Sequence, residues 1–176
     1  MKISSYSFDK TESYFGCSLS ELLRVNFITE GVAREFWTVE GERIPEIDLC
    51  ELAGIRFRFR NNAIDLPKIE NSVLVGAVYH AKGDFLSPGF YGTLPRSIRF
   101  SDDRTSLLKN VDLPIVSEGY LPHGGESLGF TGDCGFLEWQ DKGFRLHVLY
   151  LVKGQRTIRV TSMFDEPQQI PVASIA

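Results

Sequence analysis

The chain has 176 residues, 43% of them hydrophobic and 24% charged, with a net charge of −4 and a pI near 5.4. At this length about two-thirds of the unfolded surface can be buried, so a stable core needs neither disulfide nor metal. The acidic balance excludes a general nucleic-acid binder, which needs a basic face to displace counterions. No apolar run approaches the ~20 residues that cross a membrane.

Polar residues interrupt the first ten positions, M-K-I-S-S-Y-S-F-D-K, before an apolar export core could form. Cys17, Cys50 and Cys134 are odd in number and widely spaced, which fits reduced thiols rather than a disulfide framework. Cys50, in an apolar stretch, is expected in the core. A cytoplasmic protein is the expectation.

Taken in order, Ser18-Leu19-Ser20-Glu21 has capping-box spacing, so a short helix is expected to start near Ser18. Residues 32–39 read as a strand running into a turn at Glu40-Gly41-Glu42. Residues 45–53 are ambiguous, with one helical turn possible over 48–53 before Gly54. From Ile55 the alternation is clean: Ile55, Phe57 and Phe59 face one way and Arg56, Arg58 and Arg60 the other, as in a half-buried strand. A turn at Asn61-Asn62 precedes a largely apolar strand over 73–79. Residues 83–95 form a connector rich in glycine, proline and aromatics. Ser101-Asp102-Asp103 then place a cap and two carboxylates before a helix reaching Asn110. Residues 112–135 read as an extended loop. Strands follow over 136–139, 144–152 and 156–164, with Lys153-Gly154 as a tight hairpin turn, and the tail beyond Pro167 is expected to be loosely held.

Two stretches look alike. S-E-L-L-R-V-N-F-I-T-E-G over 20–31 parallels T-S-L-L-K-N-V-D-L-P-I-V-S-E-G over 105–119. Phe36-Trp37 parallels Phe136 to Trp139, the strand opened by Gly54 parallels the one opened by Gly143, and a further strand closes each half. The expected fold is α+β: an antiparallel sheet with helices on one face, built from two tandem α-β-β-β units. The units span 1–93, including the connector, and 94–176, in one continuous body. The sheet face without helices would carry Arg56, Arg58 and Arg60, joined by Arg145 and His147.

Catalytic motifs fail on context. Gly125-Glu126-Ser127-Leu128-Gly129 matches the nucleophile-elbow pattern and His123-Gly124-Gly125 resembles an oxyanion loop. An elbow needs a strand before it and a helix after it, with the oxyanion loop far upstream. Here both fall in one glycine-rich stretch. His80, His123 and His147 show no close ligand pair of the kind metal sites use, and no phosphate-cradling glycine loop is present. The sequence therefore reads as non-enzymatic, with no cofactor and no metal.

The remaining candidates are surfaces. Arg56, Arg58 and Arg60 are either a solvated sheet face or a carboxylate- or phosphate-binding surface, because guanidinium forks pair bidentately with such groups. Phe85, Phe90 and Tyr91 are either packed under their loop or displayed as partner anchors. Glu118, Tyr120, Glu126 and Asp133 suit a basic target.

Each half resembles the helix-plus-antiparallel-strand module of the β-lactamase-inhibitor-protein type. In the second half this rests on the capped helix over 101–110, Leu113-Pro114, Trp139, the strand over 144–150 and the lysine-glycine hairpin. In the first it rests on Leu22-Leu23, Trp37 and residues 54–59. Leu94-Pro95 through Phe100, followed by a capped helix, is also similar to bacterial toxin-immunity proteins. The resemblance implies a cytoplasmic immunity protein whose partner is a cognate toxin, its active site occluded by the sheet and its loops, with no nucleic-acid or membrane partner. The competing expectation is a domain or small enzyme that holds an anionic ligand on the arginine-bearing face.

Overall fold

Ser18 and Glu21 close a capping box: Ser18 Oγ accepts from Glu21 N at 3.2 Å, and Glu21 Oε2 accepts from Ser18 N at 2.7 Å. That nucleates α1, Leu19–Arg24. The computed structural model describes residues 10–33, 36–38, 45–60 and 72–164; the expected turns at 40–42 and 61–62 and the tail beyond Pro167 lie outside them. A single turn, α2 (Glu30–Ala33), takes up the start of the stretch expected as strand, and β1 follows as Phe36–Thr38. The ambiguous stretch is both of its readings in succession: strand β2, Pro45–Leu49, then the turn α3, Cys50–Ala53. Gly54 ends α3 at φ +68, and a Cβ there would lie 2.4 Å from Phe90 N. Only glycine fits this close approach of two backbones.

β3 (Ile55–Arg60) and β4 (Val73–His80) complete the first half. In the second, Asp103 caps α4, Arg104–Asn110, by accepting from Ser106 N at 2.7 Å. The capping residue is thus the last of the three candidates. The four strands that follow are β5 (Ile115–Leu121), β6 (Cys134–Asp141), β7 (Phe144–Leu151) and β8 (Arg156–Phe164).

Among the described residues these make one eight-stranded antiparallel sheet in the order β1-β2-β3-β4-β8-β7-β6-β5. Each half is a four-stranded meander, not the three strands expected, and the meanders join through their last strands. The expected loop over 112–135 contains β5. The expected match of Phe36-Trp37 with Phe136 to Trp139 pairs an edge strand with an inner one, whereas the Gly54 and Gly143 strands occupy equivalent third places. One core spans both halves. Leu22 of α1 and Leu107 of α4 join Ile47, Phe57, Ala77, Trp139, Val148 and Val160 in a single cluster. Each such side chain contributes ~1.5–3 kcal/mol on burial, which fixes the helices to one face. A smaller cluster of Leu128, Cys134, Leu149, Leu151 and Ile158 lies apart from it.

Candidate functional site

The alternate residues of the same strands build the other face of the sheet. Register aligns Asp48, Arg56, Val78, Thr161, His147 and Glu138 in one row across β2, β3, β4, β8, β7 and β6. The row on one side holds Glu46, Arg58, Gly76, Met163 and Arg145; the row on the other holds His80, Arg159, Leu149 and Phe136. Residues of these rows line a shallow cavity of about 310 Å³.

Each of its guanidiniums has a carboxylate beside it. Arg56 Nη2 is 2.7 Å from Asp48 Oδ2, and Arg58 Nε donates to Glu46 Oε1 at 3.0 Å. Arg145 Nε is 3.2 Å from Glu138 Oε1. The arginine row is therefore no bare cationic strip, because the neighbouring strand β2 answers Arg56 and Arg58. Arg60, which ends β3 opposite Val73, does not line the cavity.

The most buried charge is Asp84, fully enclosed just after β4. Arg159 donates to it twice, Nε to Oδ2 at 2.9 Å and Nη2 to Oδ1 at 2.6 Å. His80 Nδ1 bonds Oδ2 at 2.7 Å. Burial opposes the charge of Asp84, but the bonds from His80 and Arg159 outweigh it and hold the carboxyl below its ordinary range. An ionised carboxylate only accepts, so Nδ1 of His80 is the donor in this bond. His80 is 1% exposed, and no described residue hydrogen-bonds its Nε2. An unanswered buried nitrogen costs roughly 1–3 kcal/mol and calls for an explanation. Phe85 packs beside this group, its ring centroid 4.7 Å from the Arg159 guanidinium. Phe85 and Leu86 both hold positive φ, +47 and +61, a strained pair that leaves Leu86 83% exposed.

His147 stacks on Phe136 with ring centroids 5.6 Å apart. The strand beside Phe136 must be bare, since a Cβ on Gly119 would lie 2.3 Å from its ring. Burial pulls the His147 pKa below its ordinary value of 6.5 against the opposing pull of Glu138, so its imidazole is neutral near pH 7.

The other sequence candidates fall in two further places. Phe90 takes the packed role: it is 8% exposed and sits edge-on to Tyr79, centroids 5.0 Å apart. Tyr91 is 87% exposed and donates to Pro88 O at 3.2 Å. The acidic candidates gather around the edge strand β5. Glu118 accepts from Arg104 at 2.7 Å, Tyr120 donates to Asp133, and Asp133 also accepts from His123 N at 2.9 Å. Glu126 lies 3.4 Å from His123 Nδ1.

Between β5 and β6, Glu126–Leu128 form a single 3-10 turn. This follows an antiparallel edge strand, so the elbow geometry is not formed. All three cysteines are buried and unbridged. Among the described residues, no group of three or more His, Cys, Asp and Glu could hold a metal ion, and no helix is long and apolar enough to cross a membrane. Asp84 and Arg159 are the site residues that sequence reasoning missed. The available signals were Asp84 four positions after His80, and the alternation of Arg159 and Thr161 in the last strand. No protein-family model matches the chain, and comparison with curated proteins and with solved structures gave no match.

Proposed function

We propose that the chain is a non-enzymatic protein-binding protein of the immunity type, which neutralises a bacterial toxin in the cytoplasm by covering its active site. The observation that carries this reading is the edge strand β5. Ile115, Val116, Tyr120 and Leu121 are all exposed along its seven residues, and Glu118, Glu126 and Asp133 surround them. Exposed aromatic and aliphatic side chains ringed by carboxylates fit a basic partner surface: the apolar groups supply contact energy and the charges steer the encounter. Among the described residues β5 also has one unpaired edge in the sheet order, where a partner's extended segment can add main-chain hydrogen bonds.

The test is co-expression with the product of an adjacent toxin-like reading frame. Growth rescue with a co-purifying complex is expected, and Tyr120→Ala should weaken binding about 30-fold, as for a central aromatic anchor. A neighbour product that neither binds nor is neutralised would sink the reading.

A further inference from the structure

We infer that the groove between α3 and the loop carrying Phe85 and Leu86 docks a short protein segment that presents apolar side chains beside a lysine or arginine. The site is separate from the β5 surface. In the sheet order β3 and β5 are five strand spacings apart, roughly 24 Å at about 4.8 Å each.

The apolar part comes from two elements. Leu52 of α3 is 55% exposed, and Phe85 and Leu86 are 44% and 83% exposed. All three line one open cavity of about 530 Å³, whose polar rim includes Asp48, Glu51 and Arg56. A single exposed apolar side chain is ordinary, whereas three gathered on one concavity with a polar rim mark an interaction site. A cavity of this size takes a short segment rather than a broad domain face.

The backbone points the same way. Phe85 and Leu86 hold φ +47 and +61 in succession, a conformation that residues with a Cβ adopt only under constraint. Burial of Leu86 does not offset the strain, because its side chain is exposed. The loop is held from several sides. Arg159 lies over the Phe85 ring, Ser87 N donates to Asp84 O at 2.9 Å, and Gly83 N donates to Ser87 O at 2.9 Å. Cys50 Sγ ties it to α3, 3.8 Å from the carbonyl oxygens of Asp84 and Phe85. A leucine displayed on a fixed loop is preorganised and loses little freedom on binding.

Charge selects the occupant. Asp48 answers Arg56 at 2.7 Å and also accepts from Cys50 N. Glu51 is exposed next to Leu52 and makes no hydrogen bond or ion pair with a described residue. A partner's cation therefore finds an unanswered carboxylate at the rim of the apolar patch. A second copy docked here about a two-fold axis would bring Glu51 towards its own counterpart. An anionic lipid surface would meet the same repulsion.

The test pans short random peptides displayed on phage against the intact wild-type chain, then measures the selected peptides, synthesised, by fluorescence anisotropy. Peptides that join apolar residues to lysine or arginine are expected. Leu86→Gly should weaken them by at least about tenfold, as for loss of a central anchor. Its urea midpoint should not fall, because glycine holds φ +61 without a Cβ. Glu51→Lys should weaken them about fivefold, and exchanging the peptide's basic residue for glutamate should restore binding to that variant. Tyr120→Ala, on β5, should leave them unchanged. Selected peptides indifferent to Leu86→Gly, or no selected peptide at all, would overturn the site. Binding and stability lost together in Leu86→Gly would overturn the role of Leu86 as an anchor. Peptides indifferent to Glu51→Lys would overturn the basic occupant, as would a dimer of the chain, or its binding to anionic vesicles, that Leu86→Gly abolishes.

Discussion

Asp84 keeps its charge inside the protein only because Arg159 and His80 supply three hydrogen bonds to its two oxygens. Asp84→Asn leaves the Arg159 cation without its counter-charge, and breaking such a buried pair should cost about 3 kcal/mol, read from the urea midpoint. The folded pKa of Asp84 is depressed, so the unfolded chain binds its proton more readily. Its contribution is therefore full above the ordinary value of 3.8 and disappears as pH falls through the lower folded value. Wild-type stability should fall more steeply with acid than that of Asp84→Asn; parallel pH profiles would show that the pair does not act through this charge. Cys50 gives a second residue-scale test. Burial, reinforced by Asp48, pushes its thiol up to about 11, so at pH 8 roughly one molecule in a thousand is thiolate. Native protein should leave Cys17, Cys50 and Cys134 unmodified by a thiol reagent, and urea should release all three. The burial of Cys50 was expected from its apolar stretch, but the Asp84 site was not legible in the sequence. Asp84 and Arg159 are 75 positions apart, and only the register of β4 on β8 brings them together.

Elements were legible where one physical rule dominated. β3 alternates because its residues face core and open side in turn, and α1 was found by its capping box. Ser18→Ala should therefore cost ~1 kcal/mol, and retention of full stability would mean that packing alone holds the helix. β2 and β5 were not legible as strands. β2 is short, opens on Pro45 and runs straight into a helical turn, while β5 lies at the edge with most of its residues exposed on either side. β5 has no buried face and therefore no period to read. Gly54 tests the join between α3 and the loop carrying Phe85. Its left-handed φ and the 2.4 Å approach to Phe90 N make Gly54→Ala costly by at least about 2 kcal/mol, from backbone strain and a clash together. A thermal melt would reveal it, and a loss of a few tenths would mean that the loop gives way freely.

At the scale of the molecule, the two meanders place their most interior strands, β4 and β8, against each other. The main core draws residues from both halves, Phe15 to Val160, so neither half encloses that core alone. Removing residues 94–176 would bare the β4 edge that pairs with β8 and strip the main core of Leu107, Trp139, Val148 and Val160 at once, a change that no single loop could compensate. Unfolding should accordingly be one cooperative transition. Trp139 is buried in the second half, so in a Trp37→Phe background its fluorescence reports on that half alone. Far-UV circular dichroism reports on all eight strands. The two urea curves should coincide, and the fragments 1–93 and 94–176 should each fail to fold alone yet recover native dichroism when mixed. Separated transitions, or a folded isolated fragment, would mean that the β4–β8 seam joins two independent domains. Coincident curves would make the seam the part that holds Asp84 against Arg159, because those residues come from opposite sides of it. On that reading any weakening of the seam, such as a bulky residue at Gly76 where a Cβ would lie 2.9 Å from Met163 Cγ, should lower the common midpoint rather than split it.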